Sequence, residues 1–272
     1  MEGLREKIEK HFLNRLTKLH LPYKIHLMSL NLLLFPSTNP ELSGKDIDAL
    51  IGLYEQDKYM YERFLDSVHS FFLHEPSLNQ PPLPVIHSLK WRLKDPEHLR
   101  DKLQRKLERG DEINEQNLFE KITDFAGIRV LHLYQNQFVY IHTAIMKFVE
   151  EGEWKFVEPP VANTWDPESK KFFESLGLQC NVRDTYYTSI HYVVKPNNER
   201  SHVCCEIQVR TLFEEIWGEI AHCINYPHPT ESIACKEQLR VLAKFISTGT
   251  RLADSIFKSL EEYNSRKNGE NS

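Results

Sequence analysis

Four prolines between Glu75 and Pro84 divide the chain into two patterns. Proline has no backbone N–H and a fixed φ, so neither a helix nor a central strand runs through such a segment. Before it, apolar residues recur at helical spacing. Leu4, Ile8, Phe12 and Leu16 form one stripe; beyond a break at Pro36–Pro40, Leu50, Leu53, Tyr54, Met60, Phe64, Leu65 and Val68 form the expected buried side of a helix over 43–72. After the prolines, short β-type runs alternate with helical segments. Strands are expected at Val85–Leu89, Gly127–Leu133, Trp154–Val161, His191–Lys195 and Val203–Val209. Helices are expected at Pro96–Arg109, Gln137–Val149, Pro167–Leu176, Leu212–Ile224 and Lys236–Tyr263. The pattern predicts an α+β fold, a mixed sheet of about five strands flanked by helices. A helical region (1–84) precedes that domain (85–228), and a long C-terminal helix (229–272) follows it.

Composition removes several classes. A chain of 272 residues, 40% of them hydrophobic, buries a full core without a disulfide or structural metal. The five cysteines, at 180, 204, 205, 223 and 235, include no CxxC pair, so a zinc site of that spacing is excluded and reduced thiols are expected. The net charge of −5 excludes a bulk basic surface that coats nucleic acid, while a local basic patch stays open. The N-terminal MEGLREKIEKHF has no apolar signal-type region, and the most apolar stretch, Ile25–Phe35, is too short to span a bilayer. The expectation is a cytoplasmic protein with no membrane partner.

Charge reverses locally. Residues 90–109 hold eight Lys or Arg against four acids. Asp95 suits an N-cap, Pro96 the first helical position and Gly110 the end of the helix. Leu99, Leu103 and Leu107 share the face expected to be buried; His98, Lys102 and Arg105 share a neighbouring one. Arg92 and Lys94 project together if their segment is extended. Such a cluster suits a triphosphate, and a solvated helix face accounts for it equally well.

Two acids stand at strand edges. Asp124 precedes the strand at Gly127. In Val203–Thr211, Cys205, Ile207 and Val209 take one face and Glu206, Gln208 and Arg210 the other, so that second face is either solvated or lines a polar site. Together Asp124 and Glu206 would suit Mg²⁺, which takes one or two carboxylates plus substrate phosphates. No spacing rule joins them, and each alone reads as an exposed or salt-bridged acid. In Arg183–His191 (RDTYYTSIH) a tyrosine can stack on a purine and Arg183 can meet phosphate; a turn with core tyrosines fits the same residues. In the helix that follows, Trp217, Ile220, Ala221 and Ile224 are expected to pack, with His222 structural.

Taken in order, these segments resemble the synthetase domain of the RelA/SpoT family, which makes guanosine tetra- and pentaphosphate. The family pattern R-x-K-x(3)-S-x(3)-K is similar to Arg92, Lys94, His98 and Lys102. D-x-x-G-I-R-V corresponds to Asp124–Val130, K-x-x-G-Y-x-S-x-H resembles Arg183–His191, and E-I-Q-[IV]-R-T matches Glu206–Thr211. The resemblance implies a nucleotidyltransferase-like fold that moves pyrophosphate from ATP to the 3′-hydroxyl of GDP or GTP, leaving AMP. By position, Arg92, Lys94, His98 and Lys102 would bind ATP, and Asp124 and Glu206 would hold Mg²⁺. Glu206 would also deprotonate the hydroxyl. Tyr187 would stack on the acceptor base, Arg183 and His191 would contact its phosphates, and Gln208 and Arg210 would support the site. The chain departs from the pattern in three places: His98 for serine, Arg183 for lysine and Tyr186 for glycine. Lys170 and Lys171 are the candidates for a further basic stretch. The resemblance also admits relatives that modify the tRNA 3′ end or make adenosine alarmones, and a non-catalytic nucleotide- or partner-binding module. No His-Asp pair precedes the domain, so the expectation is a stand-alone synthetase without its own hydrolase. Such a synthetase would need control by expression, an antitoxin or an effector, and its long C-terminal helix would suit a homo-oligomer.

Overall fold

The computed structural model describes residues 44–80, 83–198, 201–225 and 229–270; the expected stripe at Leu4–Leu16 and the stretch Ile25–Phe35 lie outside them. The chain runs α1 (Gly44–His74), β1 (Ser88–Leu93), α2 (Pro96–Glu108), α3 (Leu118–Lys121), β2 (Ala126–His132), α4 (Gln137–Glu150) and β3 (Trp154–Thr164). It continues through α5 (Pro167–Ser175), β4 (Gln179–Val182), β5 (Ser189–Pro196), β6 (Cys205–Thr211), α6 (Leu212–Asn225) and α7 (Ile233–Glu270). The fold is α+β. Its six strands lie in the order β1-β2-β6-β5-β3-β4; β2–β6 and β3–β4 are parallel and the other neighbours antiparallel.

All five expected strands form. The additional one, β4, is four residues long and largely exposed, and the alternation of its sequence QCNV is too short to mark a strand by itself. β1 starts at Ser88 rather than Val85, because the Val85 N–H is drawn to the Leu78 carbonyl (2.9 Å) and the ladder opens when the His87 N–H bonds Leu131 O (2.8 Å). Lys90 and Arg92 are therefore strand residues, as suits a sheet edge guarded by charge.

One face of the sheet carries the main core. Ile128, Val130, Tyr192, Val194, Cys205, Ile207 and Val209 are buried there against Leu50, Tyr54, Tyr61, Phe64 and Val68 of α1, Leu99 and Leu103 of α2, and Phe138 and Ile141 of α4. α1 is tied in by the Tyr54 ring stacked on Phe125 (4.8 Å) and by its hydroxyl, which donates to Lys94 O (2.8 Å). Met60, expected inside, is 42% exposed, and the neighbouring Tyr61 takes the buried position.

α2 begins as its sequence predicts: Asp95 Oδ1 accepts from the N–H groups of Glu97 (2.9 Å) and His98 (3.2 Å), ahead of Pro96 in the first turn. α6 starts where β6 ends, through a reciprocal cap. Thr211 Oγ1 accepts from Glu214 N–H (3.2 Å), and Glu214 Oε2 accepts from Thr211 N–H (2.7 Å). α7, 38 residues long, crosses α6 in a second apolar cluster of Trp217, Ala221, Leu239, Ala243 and Ile246, with Trp165, Tyr186 and Tyr187 against it. Ile220, expected to pack, is 39% exposed.

Candidate active site

The sheet face opposite the main core carries the polar residues, and strand register explains why. Because Cys205, Ile207 and Val209 point inward, Glu206, Gln208 and Arg210 point outward. Side chains of paired residues share a face. The pairings Lys90 with Arg129, Arg129 with Gln208 and Gln208 with His191 lay one polar row across β1, β2, β6 and β5. The next row runs Arg92, Gly127, Glu206. Asp124 enters from the loop three residues before Gly127. Arg92, Asp124, Tyr187, Glu206, Gln208 and Arg210 line one cleft of ≈ 1010 Å³, walled by α6 and the start of α7. That volume is at the top of the ~300–1,000 Å³ range of small-molecule sites.

Each carboxylate is held by a different device. Asp124 Oδ2 accepts from Lys94 Nζ (2.9 Å) and Oδ1 from Lys102 Nζ (2.7 Å). Burial alone would raise the Asp124 pKa, but the two ammonium groups outweigh it and hold the carboxyl below its ordinary value. Glu206 Oε1 meets His191 Nδ1 (2.9 Å), and Oε2 accepts from Gln208 Nε2 (2.8 Å). Burial and the nearby Asp124 charge raise its pKa, while His191 and Gln208 lower it; the net direction is down. His191 Nε2 lies 3.1 Å from Tyr187 Oη. Arg210 Nη2 closes the circuit, donating to Gln208 Oε1 (2.7 Å) and Tyr187 Oη (3.5 Å), with its guanidinium over the Tyr187 ring.

Arg183 and His98 stand apart from the residues that line the cleft. Arg183, just past β4, donates from Nε to Asn163 Oδ1 of β3 (2.7 Å). His98 is exposed in the first turn of α2. Tyr186, in the position where the resemblance expects glycine, adopts φ +60°, the left-handed conformation that glycine takes freely.

Two cations and two acids escape sequence reasoning as site residues. Lys90 and Arg129 converge on Glu215, which is 5% exposed, at 2.7 and 3.1 Å, and Arg210 Nη1 reaches it at 3.3 Å. Arg129 also binds Glu219 (2.6 Å). The signal for Arg129 was present: it lies two residues beyond Gly127, so period two puts it on the polar face. Gly218 leaves room for this network, since a Cβ there would come within 2.8 Å of Arg210 Nη1.

The fold is a mixed α+β sheet that gathers two carboxylates and a set of basic groups in one large cleft. The chain belongs to the RelA/SpoT family: the signature described as the region found in RelA / SpoT proteins matches residues 91–231, just over half of its length. Among solved structures it is similar to small alarmone synthetase 1 from Bacillus subtilis (TM-score 0.58, 19% identity, covering 78% of this chain and 99% of that one). It is also similar to a GTP pyrophosphokinase family protein from Streptococcus pneumoniae (0.56, 16%, 78% and 94%). The Bacillus subtilis protein also matches when bound to its product pppGpp (0.54, 18%, 80% and 99%) and to AMPCPP (0.53, 16%, 78% and 99%). At these identities the likeness establishes a shared fold. No curated protein sequence matches.

Proposed function

We propose that the protein transfers a pyrophosphoryl group from ATP to the 3′-hydroxyl of GDP or GTP, giving a guanosine tetra- or pentaphosphate and AMP. The observation that carries this is the meeting of Asp124 and Glu206, 82 positions apart in sequence, in one cleft beside Lys94 and Lys102. Family membership and the pppGpp and AMPCPP complexes of the Bacillus subtilis protein support the substrate class.

The two carboxylates fit Mg²⁺. Both are hard oxygen donors on the same cleft, close enough for the Asp124 charge to act on Glu206. Asp124 and Glu206 would hold the ion, with substrate phosphates and water supplying its remaining ligands. Bound there, the ion would neutralise phosphate charge as the transfer proceeds.

The chain's own residues supply the rest. Lys94 and Lys102 pass from Asp124 to the ATP phosphates, joined by Arg92 from the edge strand. Tyr187 offers its ring to the acceptor base while Arg210 and Gln208 hold the hydroxyl end of the ring and the Glu206 carboxylate. Glu206 takes the 3′-hydroxyl proton as the oxygen attacks the β-phosphorus, and the bond from the β-phosphorus to the α-phosphate oxygen breaks to release AMP. This scheme does not use Arg183 or His98.

The test is purified protein with γ-labelled ATP and Mg²⁺ against GDP, GTP, ATP and deacylated tRNA in separate reactions, resolved by thin-layer chromatography. Label should enter a guanosine tetra- or pentaphosphate and vanish in Glu206→Gln. Label found only in tRNA or an adenosine product would overturn the guanosine assignment, and no transfer to any acceptor would overturn the proposal.

A further inference from the structure

The family resemblance gives His191 to the acceptor's phosphates. The structure has both of its ring nitrogens engaged elsewhere, one on Glu206 and one on the Tyr187 hydroxyl. One consistent set of donors, with a neutral His191, satisfies every contact in this ring of five side chains. Arg210 Nη2 donates to Tyr187 Oη and to Gln208 Oε1; the Tyr187 O–H donates to His191 Nε2; His191 Nδ1–H donates to Glu206 Oε1; and Gln208 Nε2–H donates to Glu206 Oε2. Both arms begin at the same cation and end at the same anion, so each hydrogen bond polarises the next in one sense.

We infer that His191 is a positioning residue for Glu206, and that the Tyr187 hydroxyl in turn fixes the tautomer and orientation of His191. This rests on the pyrophosphate-transfer function proposed above. An ionised carboxylate accepts at about four lone-pair sites. The ring takes one on each Glu206 oxygen, which fixes the carboxylate plane and leaves the remaining pairs for the attacking hydroxyl and the metal. A histidine oriented by one group so that it can orient another is the general logic of ligand-supporting shells and catalytic triads. Tyr187 then has two functions on separate atoms, its ring for the acceptor base and its hydroxyl for the histidine.

The experiment measures kcat and the acceptor KM for wild type, His191→Ala, His191→Asn and Tyr187→Phe, each first shown to melt cooperatively. His191→Ala should lower kcat by about 10- to 100-fold and leave the acceptor KM within about threefold. His191→Asn places an amide N–H near the Nδ1 position and should recover most of that loss. Tyr187→Phe keeps the ring and should fall between wild type and His191→Ala in kcat. A rise in acceptor KM with unchanged kcat in His191→Ala would assign His191 to the acceptor and overturn the inference; so would His191→Asn no more active than His191→Ala. A second readout does not depend on turnover. In ¹⁵N-histidine NMR, the His191 signal, identified by its loss in His191→Asn, should show a protonated Nδ1 and a bare Nε2. The opposite tautomer would overturn the inference even if wild type transferred nothing, a failure that would belong to the proposed function.

Discussion

Tyr186 gives a sign-reversal test of the backbone in the acceptor loop. Its φ of +60° is costly for a residue with a Cβ, about 1–2 kcal/mol. The side chain offsets that cost by packing edge-on against Trp165 (5.2 Å, 71°) at the border of the α6–α7 cluster. Compare Tyr186→Ala with Tyr186→Gly. Both lose the ring contact, so both fall below wild type. Alanine keeps the left-handed penalty and glycine escapes it. In ordinary backbone glycine is worse than alanine by roughly 0.5–1 kcal/mol, through the entropy it loses on folding. At this position the order reverses, with glycine ahead by about 0.5–1 kcal/mol, or about 1–3 °C in Tm for a chain of this size. Differential scanning calorimetry on the two variants, with urea titration as a check, measures the difference. A Tyr186→Ala protein as stable as Tyr186→Gly, or more so, would refute the left-handed assignment. It would also remove the explanation of how this chain keeps the loop shape while departing from the family's glycine.

Three further outcomes follow from other parts of the molecule. Asp124→Asn removes the anion between Lys94 and Lys102, so transfer should fall at least ~100-fold, while metal-free binding of AMPCPP, measured by calorimetry in EDTA, should be no weaker than wild type; weaker binding would show that the lysines depend on Asp124 for their placement. Burial pushes the Glu214 carboxyl up to about 7, against the Thr211 cap and Arg210, which pull it down. Its unfolded value is near 4.5, so its protonation favours the folded state, fully so below 4.5, and that stability is lost as pH rises through 7. Thermal melts from pH 5 to 8 should therefore slope downward more in wild type than in Glu214→Gln, which keeps the reciprocal cap; equal slopes would contradict this. Leu103→Ala, in the fully buried row of α2, should cost about 2–5 kcal/mol and lower Tm by about 5–15 °C; a loss under 1 kcal/mol would mean that α2 is not seated on the sheet.

Local chemistry was legible in the sequence. Asp95–Pro96 starts α2 because one carboxylate can satisfy two free N–H groups, and Glu206, Gln208 and Arg210 share a face because a strand has period two. The α6 cap was legible too, as Thr211-x-x-Glu214, but Thr211 is also the last residue of β6, and a strand assignment hides a helix start. What the sequence could not show is register. Asp124 meets Glu206 because β2 pairs in parallel with β6 at Gly127–Glu206, and a slip of one residue would turn Glu206 toward the core and Ile207 toward the cleft.

The same limit applies to what motif position alone says of a side chain. A motif position says which residue type stands at a point in the chain; it does not say which neighbour will claim the side chain. Arg183 stands where the pattern has lysine, and its Nε donates to Asn163 Oδ1 of the adjacent β3. Arg129 carries no role in the pattern, yet register sets it beside Gln208 and under α6, where Glu215 and Glu219 fix it to the cleft wall. α6 begins at the residue after β6 ends, and Glu215 in its first turn lies within reach of Lys90, Arg129 and Arg210. Three cations gathered on one buried carboxylate are mutually repulsive without it, so Glu215 is the group that lets a cleft this rich in positive charge exist before any phosphate arrives.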